Sequence, residues 1–296
     1  MSNTWVRSGR IRAAVTLICG VALITGCDTA GQALPEPTTT PASTTQAPAG
    51  IPVVLTARTA DGTPPTPETM SAAKQIIQWR ADGMGLSGTT VTIKDDTLVI
   101  TVPDDDGSAA RRLAQTGELT VRPVLTAVPP TGKGPAAPDA TAARISRQSS
   151  DPAVQQQAIA ELDCTATDPL RGADDPALPL VTCAADGSEV LLLGPSVLDN
   201  RAISDARAHL DPQSDRHVVD VTFTAEAADR FEALTTENVN RRIAFVVDTV
   251  VVSAPMVVSP TSAGQTQIAG NFTAESAGEL ANSLRFGKLP VPFAER

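Results

Sequence analysis

The 296-residue chain has no tyrosine, and aromatic residues make up only 3% of it, which argues against a deep aromatic pocket for peptides. Histidine is almost missing. The two present, His209 and His217, sit in the polar stretch ARAHLDPQSDRH and read as solvated surface, and no histidine cluster could hold zinc. No G-x-S-x-G nucleophile motif occurs. Carboxylates are abundant, but spacing along a chain does not set the separation in space that a glycosidase pair needs. No catalytic residue, cofactor site or metal site is therefore expected. Basic charge is also scarce: 23 Lys and Arg face 33 Asp and Glu. Such a surface is a poor partner for nucleic acid or anionic lipid headgroups.

Long apolar runs are lacking too. Arg7, Arg10 and Arg12 precede Ala13 to Gly26, which is apolar or small throughout but only about half the length of a membrane-spanning helix. It reads as an export signal. Its end, Leu23-Ile24-Thr25-Gly26-Cys27, resembles a bacterial lipobox, in which small residues let the signal peptidase reach the bond before a cysteine that becomes diacylated. Residues 1–26 are thus expected to leave as a lipoprotein signal peptide, and Cys27 to carry lipid such as palmitate. Three Lys or Arg and no acid lie before Cys27, so 20 basic and 33 acidic residues remain, a net −13.

Of the four cysteines, Cys19 departs with the signal and Cys27 takes the lipid, leaving Cys164 and Cys183 in an oxidising compartment. A disulfide is the default there; a metal or redox pair would lack both C-x-x-C spacing and nearby histidine. Closing that loop would stabilise the fold by roughly 3 kcal/mol.

Residues 27–50 are Pro, Thr, Ala and Ser with almost no charge, a composition that cannot bury enough to fold. They read as a tether reaching roughly 70 Å as extended polyproline II, or roughly 25 Å as a coil. A first domain follows over 51–125. Ile51 to Ala57 is a strand; Thr66 and Pro67 start a helix with the stripe Met70, Ala73, Ile77, Ala81 and Met84. Gly83, Gly85 and Gly88 have G-x-G-x-x-G spacing, but they follow a helix and precede a strand, the reverse of a nucleotide fingerprint. They are expected to end the helix in a left-handed conformation. Val91 and Ile93, then Leu98, Ile100 and Val102, alternate around Asp95-Asp96 as a hairpin. Asp104-Asp105-Asp106-Gly107 lacks the spaced ligands of a calcium loop and suits a helix N-terminus. A strand from Leu119 to Leu125 then completes the order βαββαβ, a ferredoxin-like arrangement.

Residues 126–188 read as a hinge or surface excursion containing a helix from Pro152 to Leu162 and the cysteine loop. A second domain spans 189–293: a strand Val190–Leu193, a helix Ile203–Leu210 and an alternating strand around Val219, Val221 and Phe223. Thr224 caps a helix with Phe231 and Leu234 inward, a hairpin turns at Asp248-Thr249, Gln265–Ala269 is a strand, and Thr273 caps a last helix that ends at Gly287. The class is α+β.

Several stretches carry a resemblance: in the second domain LLLGPSVLDNRAISDA, the run from VDVTFTAEAADRF to SAPMVVSP, and GQTQIAGNFTAESAGELANSLRFGKLPVPF; in the first KQIIQWRADGMGLSGTTVTIKDDTLVITVP and GELTVRP. In this order, over most of residues 68–293, they are similar to the first extracytoplasmic domain of SecD, with a ferredoxin-like base and a P1 head. In that family a membrane helix precedes the domain and five follow, with acidic groups that couple export to the proton gradient. Here a lipid anchor stands in for the first and the chain stops at Arg296. The resemblance implies a stand-alone, non-enzymatic lipoprotein on the outer face of the bacterial cytoplasmic membrane. Its partners would be exported polypeptides in unfolded or extended form, or a translocon-like membrane complex. A scaffold subunit of an envelope complex, or a carrier of an apolar small molecule, are the alternatives. Thr249 stands where the family has glycine, so a wider turn is expected there.

Overall fold

The computed structural model describes residues 50–59, 62–132, 134, 137 and 139–295, so the signal stretch, Cys27 and nearly all of the tether lie outside the described residues. The base begins with β1 (Val53–Ala57) and then α1 (Pro67–Gly83). Thr66 starts this helix by accepting the Thr69 amide at 3.2 Å, and Pro67 occupies the first turn, where its missing N–H costs nothing. The helix stops where Gly85 takes φ 71° and the Leu86 amide turns back to the Ala81 carbonyl at 2.9 Å. Gly83 plays a different part from the one expected. It is helical, and a Cβ there would lie 2.4 Å from Asn282 Oδ1, so its absence lets another helix approach.

β2 (Thr90–Lys94) and β3 (Thr97–Thr101) form the hairpin, turning through Asp95 at φ 51°. The Asp105 carboxylate then accepts the Gly107 and Ala109 amides ahead of α2 (Ser108–Leu113), so the acidic run starts a helix.

β4 (Leu119–Val128) departs from expectation. It joins a second sheet, and the fourth place of the base is filled by a strand from the far end of the chain. The chain between them runs through α3 (Ala140–Arg147), α4 (Pro152–Glu161), β5 (Leu180–Cys183), β6 (Val190–Leu193) and β7 (Leu198–Asp199). It continues as β8 (Ile203–Asp211), β9 (Arg216–Phe223), α5 (Ala225–Glu237), β10 (Ile243–Val247), β11 (Val250–Ser253), β12 (Gln265–Phe272), α6 (Ala274–Phe286) and β13 (Phe293–Glu295). The base sheet has the order β13-β1-β3-β2, all antiparallel, with Leu55 opposite Glu295. This is the 4-1-3-2 order of a ferredoxin-like fold with β13 as strand four, and the class is α+β. Alternation along Leu119–Val128 encodes a strand but not its neighbour, which is why β4 looks from sequence like the closing strand of the base.

The second sheet runs β11-β10-β4-β6-β5, with β7 also beside β4. Its two edges approach one another: Ala184 bridges Val251, and the Ala185 amide donates to the Val251 carbonyl at 2.9 Å. Leu180, Leu191, Leu193, Ala244 and Val246 fill the space this curl encloses.

The third sheet, β12-β9-β8, packs with α5 and α6 over the largest core, where Phe231 lies 4.8 Å from Phe223 and 6.4 Å from Phe245 between ring centroids. Here the expected helix Ile203–Leu210 is the strand β8, paired with β9 from Ile203 to Asp211. Its apolar spacing fits a helix, but a register shift between Ile203 and Asp205 gives a bulged strand the same spacing, and the non-local pairing decides. The Asp248-Thr249 turn is not widened either. Val247 pairs with Val250 across it, and both turn residues are left-handed, at φ 47° and 70°.

Candidate functional site

The apolar stripes of α3 and α4 are short, and each buries only one face against the second sheet. Their other sides, with the linker leading to β5, form one wall of a cleft of about 1100 Å³. The opposite wall is built from α6, the β10–β11 hairpin, the end of β12 and the end of α2. Ile145 and Val154 line it together with Val252, Phe272 and Leu280. Ile145 is 71% exposed, although large apolar side chains on α-helices ordinarily face a core. The cleft thus has a large apolar share in a mixed lining, and its volume lies just above the usual size of ligand sites.

Some of the charged groups along the slot pair with one another. Arg147 Nη1 holds Asp168 at 2.5 Å, and the Thr249 hydroxyl donates to the same carboxylate at 2.7 Å. Burial pushes the Asp168 carboxyl up, yet the Arg147 guanidinium and these hydrogen bonds outweigh it and hold it below the usual carboxylate range. Arg112 binds Glu275 at 2.8 Å and also Glu279, whose carboxyl is pushed up by burial. Arg171 and Glu161 also line the cleft, so its apolar side chains stand beside charged ones as well as beside these ion pairs.

The expected site residues fall in different places. Cys164 and Cys183 are joined by a disulfide and both line the cleft. Cys27 lies outside the described residues. His209 is in β8, with Nδ1 3.4 Å from Asp220, and His217 is in β9; neither borders the cleft. Among the described residues no group of three or more His, Cys, Asp or Glu is placed to hold a metal ion, and no helix is long and apolar enough to cross a membrane.

Sequence reasoning missed α3 altogether, because Asp139, which caps it by accepting the Ala142 amide at 2.8 Å, follows a Pro- and Gly-rich run. It also missed a buried polar joint behind the cleft. Arg80, only 1% exposed, donates to the carbonyls of Leu113, Gln115, Thr116 and Gly287. Burial pulls its guanidinium down to about 10, which leaves it charged at neutral pH. The Asp248 carboxylate accepts the Gly117 and Glu118 amides at 3.0 and 2.7 Å. A signal for Arg80 existed: it lies three residues after Ile77, on the apolar stripe of α1.

Residues 179–291 match the family described as SecDF, P1 head subdomain. The chain is 34% identical to the protein translocase subunit SecD of Mycobacterium tuberculosis over 320 aligned positions, 82% of this chain and 56% of that protein. The SecDF translocase subunit of Thermus thermophilus is 43% identical over 101 residues, 34% of this chain and 14% of that one. The chain therefore spans about half or less of the length of these curated relatives. Two solved structures are similar, both 26% identical and covering 83% of this chain. One is SecDF in a super-membrane-facing form, with a TM-score of 0.54 over 29% of that chain. The other is from work on SecDF as a membrane component that enhances protein export, with a TM-score of 0.52 over 97% of that chain. The base and head described above, with these matches across both, make the described part of the chain a P1 domain of the SecD family.

Proposed function

We propose that the chain assists protein export without catalysing a reaction, by holding unfolded or extended segments of exported polypeptides in the cleft between α3–α4 and α6. The observation that carries this reading is the cleft with its exposed apolar side chains, placed in a domain whose relatives are named as protein translocase subunits. An extended guest presents alternate side chains to two walls, and a slot lined by Ile145, Val252 and Phe272 accepts many apolar residues without selecting one sequence. Strand addition at an open sheet edge, such as β2 or β8, would contribute main-chain hydrogen bonds of the same tolerance. A lipid on Cys27 and the Pro/Thr-rich tether would keep the domain at the outer face of the cytoplasmic membrane, within reach of a translocon-like complex.

Fluorescence anisotropy of residues 50–296 with a labelled, permanently unfolded exported protein, and its folded form as control, tests the reading. Micromolar binding to the unfolded form alone is expected, with at least a tenfold loss on Ile145→Asp. Absence of binding to either form overturns it. The cleft volume also favours a second reading, a carrier of an apolar small molecule. That carrier would be purified with a ligand recoverable in organic extracts.

A further inference from the structure

The wall of the cleft formed by α4 is held without covalent links by α3 beside it, by the Gly134 amide, which donates to the Glu161 carbonyl at 3.0 Å, and by one small apolar cluster. α4 buries only Ala158 and Ile159, which rest on Val181, Val190 and Leu192 in a small cluster separate from the main cores. A ten-residue helix is not stable by itself in water, so α4 depends on what fastens it. Its N-terminal end is capped by Asp151, which accepts the Ala153 amide at 2.8 Å. Its C-terminal end runs into a stretch with no regular secondary structure until β5, and the one covalent link across this region joins Cys164, three residues beyond α4, to the end of β5 at Cys183.

The segments on either side of α4 are pinned independently. Before it, the Gln148 side chain exchanges hydrogen bonds with the backbone of Asp175, at 2.8 and 2.9 Å. After it, Asp168 is held by Arg147 and Thr249, Leu170 is fully buried, and Asp174 pairs with the buried Arg122 at 2.8 Å. The stretch from about residue 150 to 167 is therefore a flap attached at both ends to a firm frame, and the disulfide is its fastening to β5.

We propose that the Cys164–Cys183 disulfide is the latch of the cleft: with the bond formed, α4 stands as the wall facing α6, and with the bond broken, α4 leaves that position while the remaining fold persists. Opening requires a dithiol reductant. The S–S bond breaks, each cysteine gains one electron and one proton, and the dithiol becomes a disulfide. The consequence for guests rests on the function proposed above, whereas the latch itself does not.

The test uses the full chain in lipid nanodiscs in three states: oxidised, reduced with dithiothreitol, and as the double variant Cys164→Ser/Cys183→Ser. Hydrogen exchange read by mass spectrometry reports the wall, and anisotropy of the labelled unfolded polypeptide reports the guest. Amides of residues 153–166 are expected to exchange at least tenfold faster in the reduced chain and the variant, with β9, β10 and α6 unchanged, and guest affinity to fall at least tenfold. Unchanged exchange in 153–166 overturns the latch. Loss of protection throughout β9, β10 and α6 also overturns it, since the disulfide would then support the whole fold. Faster exchange in 153–166 with unaltered guest affinity upholds the latch and removes the cleft as the guest site.

Discussion

Arg80 Nη2 donates to the carbonyl of Gly287 at 2.6 Å, tying a helix near the start of the domain to the chain as it leaves α6. The same guanidinium holds Gln115 and Thr116, where the chain leaves α2 for β4. Both chain crossings between base and head thus meet at one side chain, and Asn282 returns the contact by donating to the Arg80 carbonyl at 2.7 Å. Each buried acceptor left without a donor costs about 1–3 kcal/mol. Arg80→Met is expected to lose at least about 3 kcal/mol in urea denaturation, more than a single hydrogen bond would explain. A loss below about 1 kcal/mol would show that the crossings are held by other contacts.

Glu118 and Lys288 join the same two crossings at 2.6 Å, with Glu118 buried and Lys288 half exposed. Burial raises the Glu118 carboxyl and Lys288 pulls it back, with a net rise. A carboxyl raised in the folded state binds its proton more tightly than in the unfolded chain. Its contribution is therefore favourable at low pH and is lost as pH climbs from the ordinary carboxylate range through the raised value. Removing the cation enlarges that loss. Lys288→Met is expected to cost about 1.5–3 kcal/mol at neutral pH and much less in acid, where Glu118 holds its proton. Equal losses in urea melts at the two pH values would contradict this.

Thr249 occupies a left-handed position that costs a side chain roughly 1–2 kcal/mol. Its hydroxyl bond to the Asp168 carboxylate offsets this, since hydrogen bonds to charged groups contribute about 1.5–3 kcal/mol. The second effect is the larger. Thr249→Gly is therefore expected to be slightly less stable, by up to about 1 kcal/mol, although glycine suits the turn better. A more stable variant would reverse the ranking.

Thr273 and Ser276 form a reciprocal cap at the start of α6: the Ser276 amide donates to the Thr273 hydroxyl at 3.1 Å, and the Thr273 amide to the Ser276 hydroxyl at 2.9 Å. Thr273→Ala removes half of it. A loss of about 1 kcal/mol is expected, read from the denaturation midpoint.

What could be read from sequence was local. Thr66, Thr224 and Thr273 start helices because each hydroxyl accepts an amide three residues ahead, information held within one turn. The hairpin at Asp95-Asp96 was equally legible from its flanking alternation. What escaped was the identity of partners. Leu119–Val128 has the same alternation whether it closes the base or centres the second sheet, and β8 shows its nature only through β9. The cleft escaped for the same reason: Ile145 and Leu280 both line it, and no pattern near either residue anticipates the other. Arg80 is the exception, a charge on an apolar stripe whose meaning depended on distant carbonyls.

The pairing of β1 with β13 has a mechanical consequence. The strands are antiparallel, so the chain enters β1 and leaves β13 at the same end of the pair, with Leu55 beside Glu295. A pulling force between those two points would load the ladder at that end and peel its pairs in succession instead of shearing them together. Along this axis the domain would give way as a zipper does, however firmly its cores resist heat.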